Sequence, residues 1–173
     1  MTPLLAVTVL GDDRPGIVAE TTALLAGLGG NLEDSTMTLL RGHFAMVLVV
    51  RVDASAGELE AALAPLASDG SLDVAVRAVA EGAAAAGGGT AYLLSVHGGD
   101  RPGIVSAVMA QVARVRGNVT DLTTRLSGEL YVLLAELDLP AGADVEALRA
   151  SLAAVSRELG VDASLRELDA DVL

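Results

Sequence analysis

No cysteine occurs in the 173 residues, which excludes disulfides, thiolate metal sites and thiol nucleophiles. Tryptophan and lysine are absent too, so all eleven basic residues are arginine. Set against 23 acids, they leave a formal net charge of −12 and a pI near 4.4. A chain this acidic lacks the clustered basic residues that phosphate backbones demand, which argues against direct nucleic-acid binding and against an anionic membrane surface. The acidity is even. Residues 1–80 carry ten acids and four arginines, and residues 90–173 carry twelve acids and seven arginines, so no basic half is concealed. Long hydrophobic runs are also missing. The longest bulky apolar stretch, Phe44 to Val50, falls far short of the roughly 20 residues of a membrane-spanning helix. The start, Met1-Thr2-Pro3-Leu4, has neither the basic segment nor the apolar stretch of a signal peptide, and a cytoplasmic location is the default expectation.

Catalytic signals are equally scarce. His43 and His97 have no spaced His, Cys or carboxylate partners, so neither is expected to bind metal. Ser106 lacks a nearby base, and no GxxxxGK phosphate loop occurs. No cofactor and no enzymatic activity are expected. Glu20, Arg114 and Arg116 read as solvent-facing helix charges, and Asp169-Ala170-Asp171 as a solvated acidic tail.

What the chain does contain is a repeat. Asp13-Arg14-Pro15-Gly16-Ile17-Val18 returns letter for letter as Asp100-Arg101-Pro102-Gly103-Ile104-Val105, 87 residues later. At the same offset Gly30-Asn31 matches Gly117-Asn118, Asp34 matches Asp121 and Thr36 matches Thr123. Gly42 and Gly128 match one residue out of step, as a slip in a hairpin turn would produce. Between the copies lies Glu81-Gly82-Ala83-Ala84-Ala85-Ala86-Gly87-Gly88-Gly89, a composition suited to a flexible connector. The expected organisation is a first domain over 1–80, a linker over 81–89 and a second domain over 90–173.

Each copy reads β-α-β-β-α-β. Short apolar strands over Leu4–Leu10 and Tyr92–Val96 precede helices led by Pro15-Gly16 and Pro102-Gly103. Residues 31–40 and 118–127 are Thr-rich, polar strands suited to a sheet edge. Phe44–Val52 and Leu130–Leu137 are the most apolar, suited to a central position. Second helices over Glu58–Ala67 and Val145–Leu159 and closing strands over Leu72–Val79 and Val161–Leu168 complete each unit. The predicted class is α+β: two tandem ferredoxin-like βαββαβ domains, each an antiparallel sheet with its helices on one face. On the strand Phe44–Val50 both faces are apolar, and Leu130–Ala135 repeats the pattern. Other protein is therefore expected to cover the sheet faces opposite the helices, either between domains or in a homodimer.

The strand-to-helix loop is the chemically suggestive place. The first N–H groups of a helix lack intrahelical partners and lie at the positive end of its dipole, a setting that holds carboxylates. Glycine just inside the helix would admit a ligand closely. Asp12, Asp13 and Asp100 could meet an ammonium group, and the amides of Asn31 and Asn118 add a donor and an acceptor. Together these features suit a zwitterion such as a free amino acid. A plainer alternative stands beside this one: Asp13 and Asp100 only cap their helices, and Asn31 and Asn118 only tolerate a left-handed backbone after glycine.

With Asp-Arg-Pro-Gly-Ile-Val followed by Gly-Asn in both copies, nearly the whole chain resembles the ACT domain family, and the tandem arrangement resembles the family of glycine cleavage system transcriptional repressors. The resemblance implies a ferredoxin-like fold, amino-acid binding at domain–domain interfaces, and regulation in place of catalysis. The implied ligand-binding set is Asp12, Asp13, Arg14, Pro15, Gly16, Ile17 and Asn31, with Asp100, Arg101, Pro102, Gly103, Ile104 and Asn118 in the second copy. In serine-binding members an asparagine precedes Arg-Pro-Gly, where this chain has Asp13 and Asp100. A histidine two positions earlier is replaced by Gly11 and Gly98, glycines that leave room for a ligand, and His97 is not at that position. Glycine or serine is the favoured ligand. The implied partner is a protein, either a transcription factor or an amino-acid or one-carbon metabolic enzyme. A pairing module without ligand is the alternative.

Overall fold

The computed structural model describes residues 2–81 and 89–168. Most of the expected linker and the acidic tail at 169–171 lie outside the described residues. The chain divides into two compact units, Met1–Ala83 and Ala84–Leu173. The first runs β1 (Leu4–Asp12), α1 (Ile17–Gly27), β2 (Asn31–Leu40), β3 (His43–Arg51), α2 (Ala56–Leu63) and β4 (Leu72–Val79). The second repeats the order as β5 (Thr90–Gly99), α3 (Ile104–Arg114), β6 (Asn118–Ser127), β7 (Leu130–Leu139), α4 (Val145–Leu159) and β8 (Val161–Glu167). Each unit holds one four-stranded sheet, ordered β2-β3-β1-β4 and β6-β7-β5-β8, with every pairing antiparallel. This is the ferredoxin-like α+β arrangement predicted from the sequence.

The strand order follows from composition. The two-sided apolar strands β3 and β7 are central, while the Thr-rich β2 and β6 are edges. Each of these edges carries a bulge at the same place, between Leu32 and Asp34 and between Val119 and Asp121. A bulge twists an edge and discourages further pairing. Along β3, Phe44, Met46, Leu48 and Val50 are buried. They form one cluster with Leu5, Val7 and Val9 of β1, Ile17 and Leu25 of α1, and Leu59 and Leu63 of α2. The helices therefore cover one face of the sheet. The second core repeats this with Leu94, Val96, Leu133, Leu137, Ile104, Val108 and Leu148.

Three local expectations need correction. First, the hairpins do not slip. Leu40 pairs His43 and Ser127 pairs Leu130, so both turns have two residues and the 87-residue offset holds through them. Only the glycine moves. The first turn, Arg41-Gly42, has φ of 51° and 88°, the type I′ pattern that matches strand twist, whereas in Gly128-Glu129 only the first residue is left-handed. Second, the helix expected over Glu58–Ala67 is α2 followed by a separate 3₁₀ turn over Ala64–Ala67, because Pro65 cannot donate into an α-helical ladder. Third, Arg116 is not helical. It lies past the end of α3 with φ 58°.

Candidate functional site

In each unit the motif is a four-residue loop between the first strand and first helix: Asp13–Gly16 and Asp100–Gly103. Gly16 and Gly103 are the helix N-caps, with φ of 95° and 92°. The glycine is thus the left-handed cap and not the second residue of the helix, and Pro15 and Pro102 stand in the turn before it. No side chain caps either helix, which removes the capping alternative for Asp13 and Asp100, both of them exposed. The first intrahelical bonds run from Glu20 N to Gly16 O and from Ala107 N to Gly103 O, each 2.9 Å. The amides of Ile17, Val18 and Ala19, and of Ile104, Val105 and Ser106, precede those bonds and form the electropositive start of the helix.

Gly11 and Gly98 do not leave room for a ligand. A Cβ on Gly11 would lie 2.1 Å from the Ser71 carbonyl oxygen, and one on Gly98 would lie 2.8 Å from Val161 Cγ1. The start of the fourth strand fills that space in each unit.

Asn31 and Asn118 open β2 and β6 in extended backbone, since the left-handed non-glycine residues among those described are Arg41 and Arg116. The tolerance alternative therefore falls. Their position, however, separates them from their own loop. Asn31 pairs Arg51, and Arg51 pairs Leu4 at the start of β1; the loop follows Asp12 at its other end. Eight residues of strand separate the two ends, about 26 Å, and β3 lies between β1 and β2. Asn118 stands likewise, paired through Asp138 with Ala91. No single unit brings its asparagine to its own loop.

The two loops also differ. In the first unit Arg14 donates two hydrogen bonds to the Glu20 carboxylate, at 2.9 and 2.7 Å. This bidentate pair holds the Glu20 carboxyl below the ordinary carboxylate range, the hydrogen bond being the largest cause. The exposed Asp12 carboxylate lies 3.9 Å from His43 Nδ1. In the second unit the position of Glu20 is Ala107, and Arg101 has no carboxylate within ion-pair distance among the described residues. Its guanidinium lies over Gly160 at the end of α4, where a Cβ would be 3.4 Å from Nη2. Asp100, Arg101, Gly103 and Ile104 line a depression of about 290 Å³ together with Val105, Ser106 and Tyr131. Ser106 Oγ donates to Gly103 O at 3.0 Å. Pro102 is not among its lining residues.

Sequence reading missed Tyr131, because in the apolar run of β7 it reads as core, and it treated Glu20 as a solvated charge. The mismatch of Glu20 with Ala107 at the repeat offset was the available signal. Among the described residues no helix is long and apolar enough to cross a membrane, and no three His, Cys, Asp or Glu residues group to hold a metal.

The ACT domain family model matches residues 3–77 and again 90–166. A UPF0237 protein of Methanopyrus kandleri is 43% identical over 74 residues, which is 41% of this chain and 82% of that protein. A UPF0237 protein of Methanococcus maripaludis is 38% identical over 66 residues, 36% of this chain and 73% of that one. Among solved structures, a Galdieria sulphuraria protein of unknown role superposes with a TM-score of 0.79 at 30% identity, over 98% of this chain and 100% of its own. A protein provisionally assigned as a glycine cleavage system transcriptional repressor superposes with a TM-score of 0.68 at 19% identity, over 96% of this chain and 98% of its own, a likeness of fold. With its model matched twice, across both sheets and both loops, the chain belongs to the ACT domain family, a family of small-molecule-binding regulatory domains.

Proposed function

We propose that this protein is a sensor of a small amino acid, glycine or serine, that modulates a protein partner. The observation that supports the reading is the uncapped helix start after Asp-Arg-Pro-Gly in both units, with a carboxylate side chain in the loop. The helix amides take the ligand carboxylate and Asp13 or Asp100 its ammonium. Asn31 or Asn118 completes the site from a second copy of the chain, because the asparagine lies at the far end of its own sheet. Such a site forms only in the assembled state. Ligand then shifts the assembly by its difference in affinity between the two states. The partner is a transcription factor or an enzyme of amino-acid or one-carbon metabolism, in keeping with the fold shared with the provisional glycine cleavage repressor.

Calorimetry against the twenty amino acids tests this. Glycine or serine should bind at millimolar concentration or below, and Asp100→Ala and Asn118→Ala should each weaken binding at least tenfold. Absence of any binding at millimolar concentration, or binding that survives these changes together with Asp13→Ala and Asn31→Ala, would overturn the reading.

A further inference from the structure

The two loops share their motif but differ at the positions that would meet a ligand. Glu20 of the first unit corresponds to Ala107 of the second, Ala19 to Ser106 and Phe44 to Tyr131. In the first unit Glu20 folds back so that both its oxygens sit on the Arg14 fork, and Oε1 lies 3.4 Å from where a Cβ of Gly16 would be. A carboxylate already occupies the loop arginine there. It is tethered, so its effective concentration at the guanidinium is about millimolar or higher, and a dissolved carboxylate must displace it. A site populated only when Glu20 swings away has its affinity reduced by that fraction.

The second unit reverses each term. Ala107 offers no competing carboxylate. The Arg101 guanidinium is placed over the bare backbone of Gly160, at the α4 terminus whose carbonyls favour a cation. Ser106 has a hydroxyl where the first unit has a methyl, and its proton is held by the Gly103 carbonyl at 3.0 Å. Tyr131, half-buried, supplies a phenol hydroxyl with no hydrogen-bond partner among the described residues, where Phe44 is buried in the core. Removal of one acid and gain of the Tyr131 hydroxyl both favour the same depression.

We infer that the two units are unequal as sites: the second, at Arg101, Ser106 and Tyr131, takes a small free carboxylate, while in the first the Glu20 side chain occupies the equivalent position as a built-in ligand. The inference deepens the amino-acid reading by assigning it to one loop of the two, and it makes Glu20 and Ala107 the residues that decide occupancy.

Backbone-assigned ¹H–¹⁵N spectra, titrated separately with acetate and with glycine, test it. The amides of Ile104–Ser106 should respond to acetate at a concentration at least tenfold lower than those of Ile17–Ala19. Ala107→Glu should remove most of that advantage, Glu20→Ala should strengthen the response of the first loop to within the severalfold margin that Tyr131 provides, and Tyr131→Phe should weaken the second severalfold. Equal responses in the wild-type chain, or a second loop indifferent to Ala107→Glu, would overturn the inference. The glycine arm separates the two claims. Acetate selectivity without any glycine response upholds the inequality of the loops and sinks the amino-acid reading; glycine binding with equal acetate responses does the reverse.

Discussion

At Gly11 a hydrogen stands where any other residue would put a carbon 2.1 Å from a backbone oxygen. Gly11→Ala must therefore move β4 away from β1, and a loss of about 1–3 kcal/mol in stability is expected by analogy with overpacking. Gly27 is the contrast. A Cβ there meets nothing within 4 Å, and the residue is helical, so Gly27→Ala should raise stability by about 0.4–1 kcal/mol. Urea midpoints of the two variants check both signs. Ser55 caps α2 and forms a reciprocal box with Glu58. Ser55→Ala should cost about 1 kcal/mol at neutral pH. Hydrogen bonds from Ser55 hold the Glu58 carboxyl below its ordinary range. A depressed folded value means the contribution is complete above the unfolded value, near 4.3, and is lost as pH falls through the folded one. The gap between wild type and Ser55→Ala should accordingly narrow only in acid, below about pH 4, in urea titrations run at several pH values. No narrowing there would contradict the box.

Among the elements, the existence of both helices and of the closing strand of each copy was legible because periodicity and punctuation agreed. The edge strands could be read to the residue, 31–40 and 118–127, since Gly30 and Gly117 stop the chain on one side and a tight turn on the other. Other features were not legible, each for a physical reason. A single proline inside an apolar helical pattern marks a boundary without saying whether the helix kinks, ends or tightens, and at Pro65 it tightens. A glycine that shifts within a two-residue turn looks like an insertion until the pairing is known. The site was legible as a loop but not as a constellation. Asp13 and Asn31 are close in sequence, yet an intervening helix carries the chain back along the sheet, and the strand that separates them comes later in the sequence. The cap glycines carry their own test. Gly103, at φ 92°, holds a backbone that a Cβ opposes, so Gly103→Ala should cost about 1–3 kcal/mol and disturb the Ile104–Ser106 amides. An unchanged urea midpoint would contradict the cap geometry.

For the molecule as a whole, the faces opposite the helices matter most. Leu10 and Val47 in the first unit and Leu130 and Leu134 in the second are each exposed by two-fifths or more. They lie on the sheet faces where the sequence led us to expect covering protein. On the proposed reading, in which the site needs the asparagine of another copy, that expectation gains a function, because ligand and self-association are then linked. The most direct test is sedimentation equilibrium of the chain with and without saturating glycine or serine. If the amino acid bridges a loop and an asparagine from two copies, the association constant should rise roughly 5- to 150-fold with ligand, and Asn118→Ala should abolish the rise. An association constant that does not change under a ligand shown by calorimetry to bind would contradict the account.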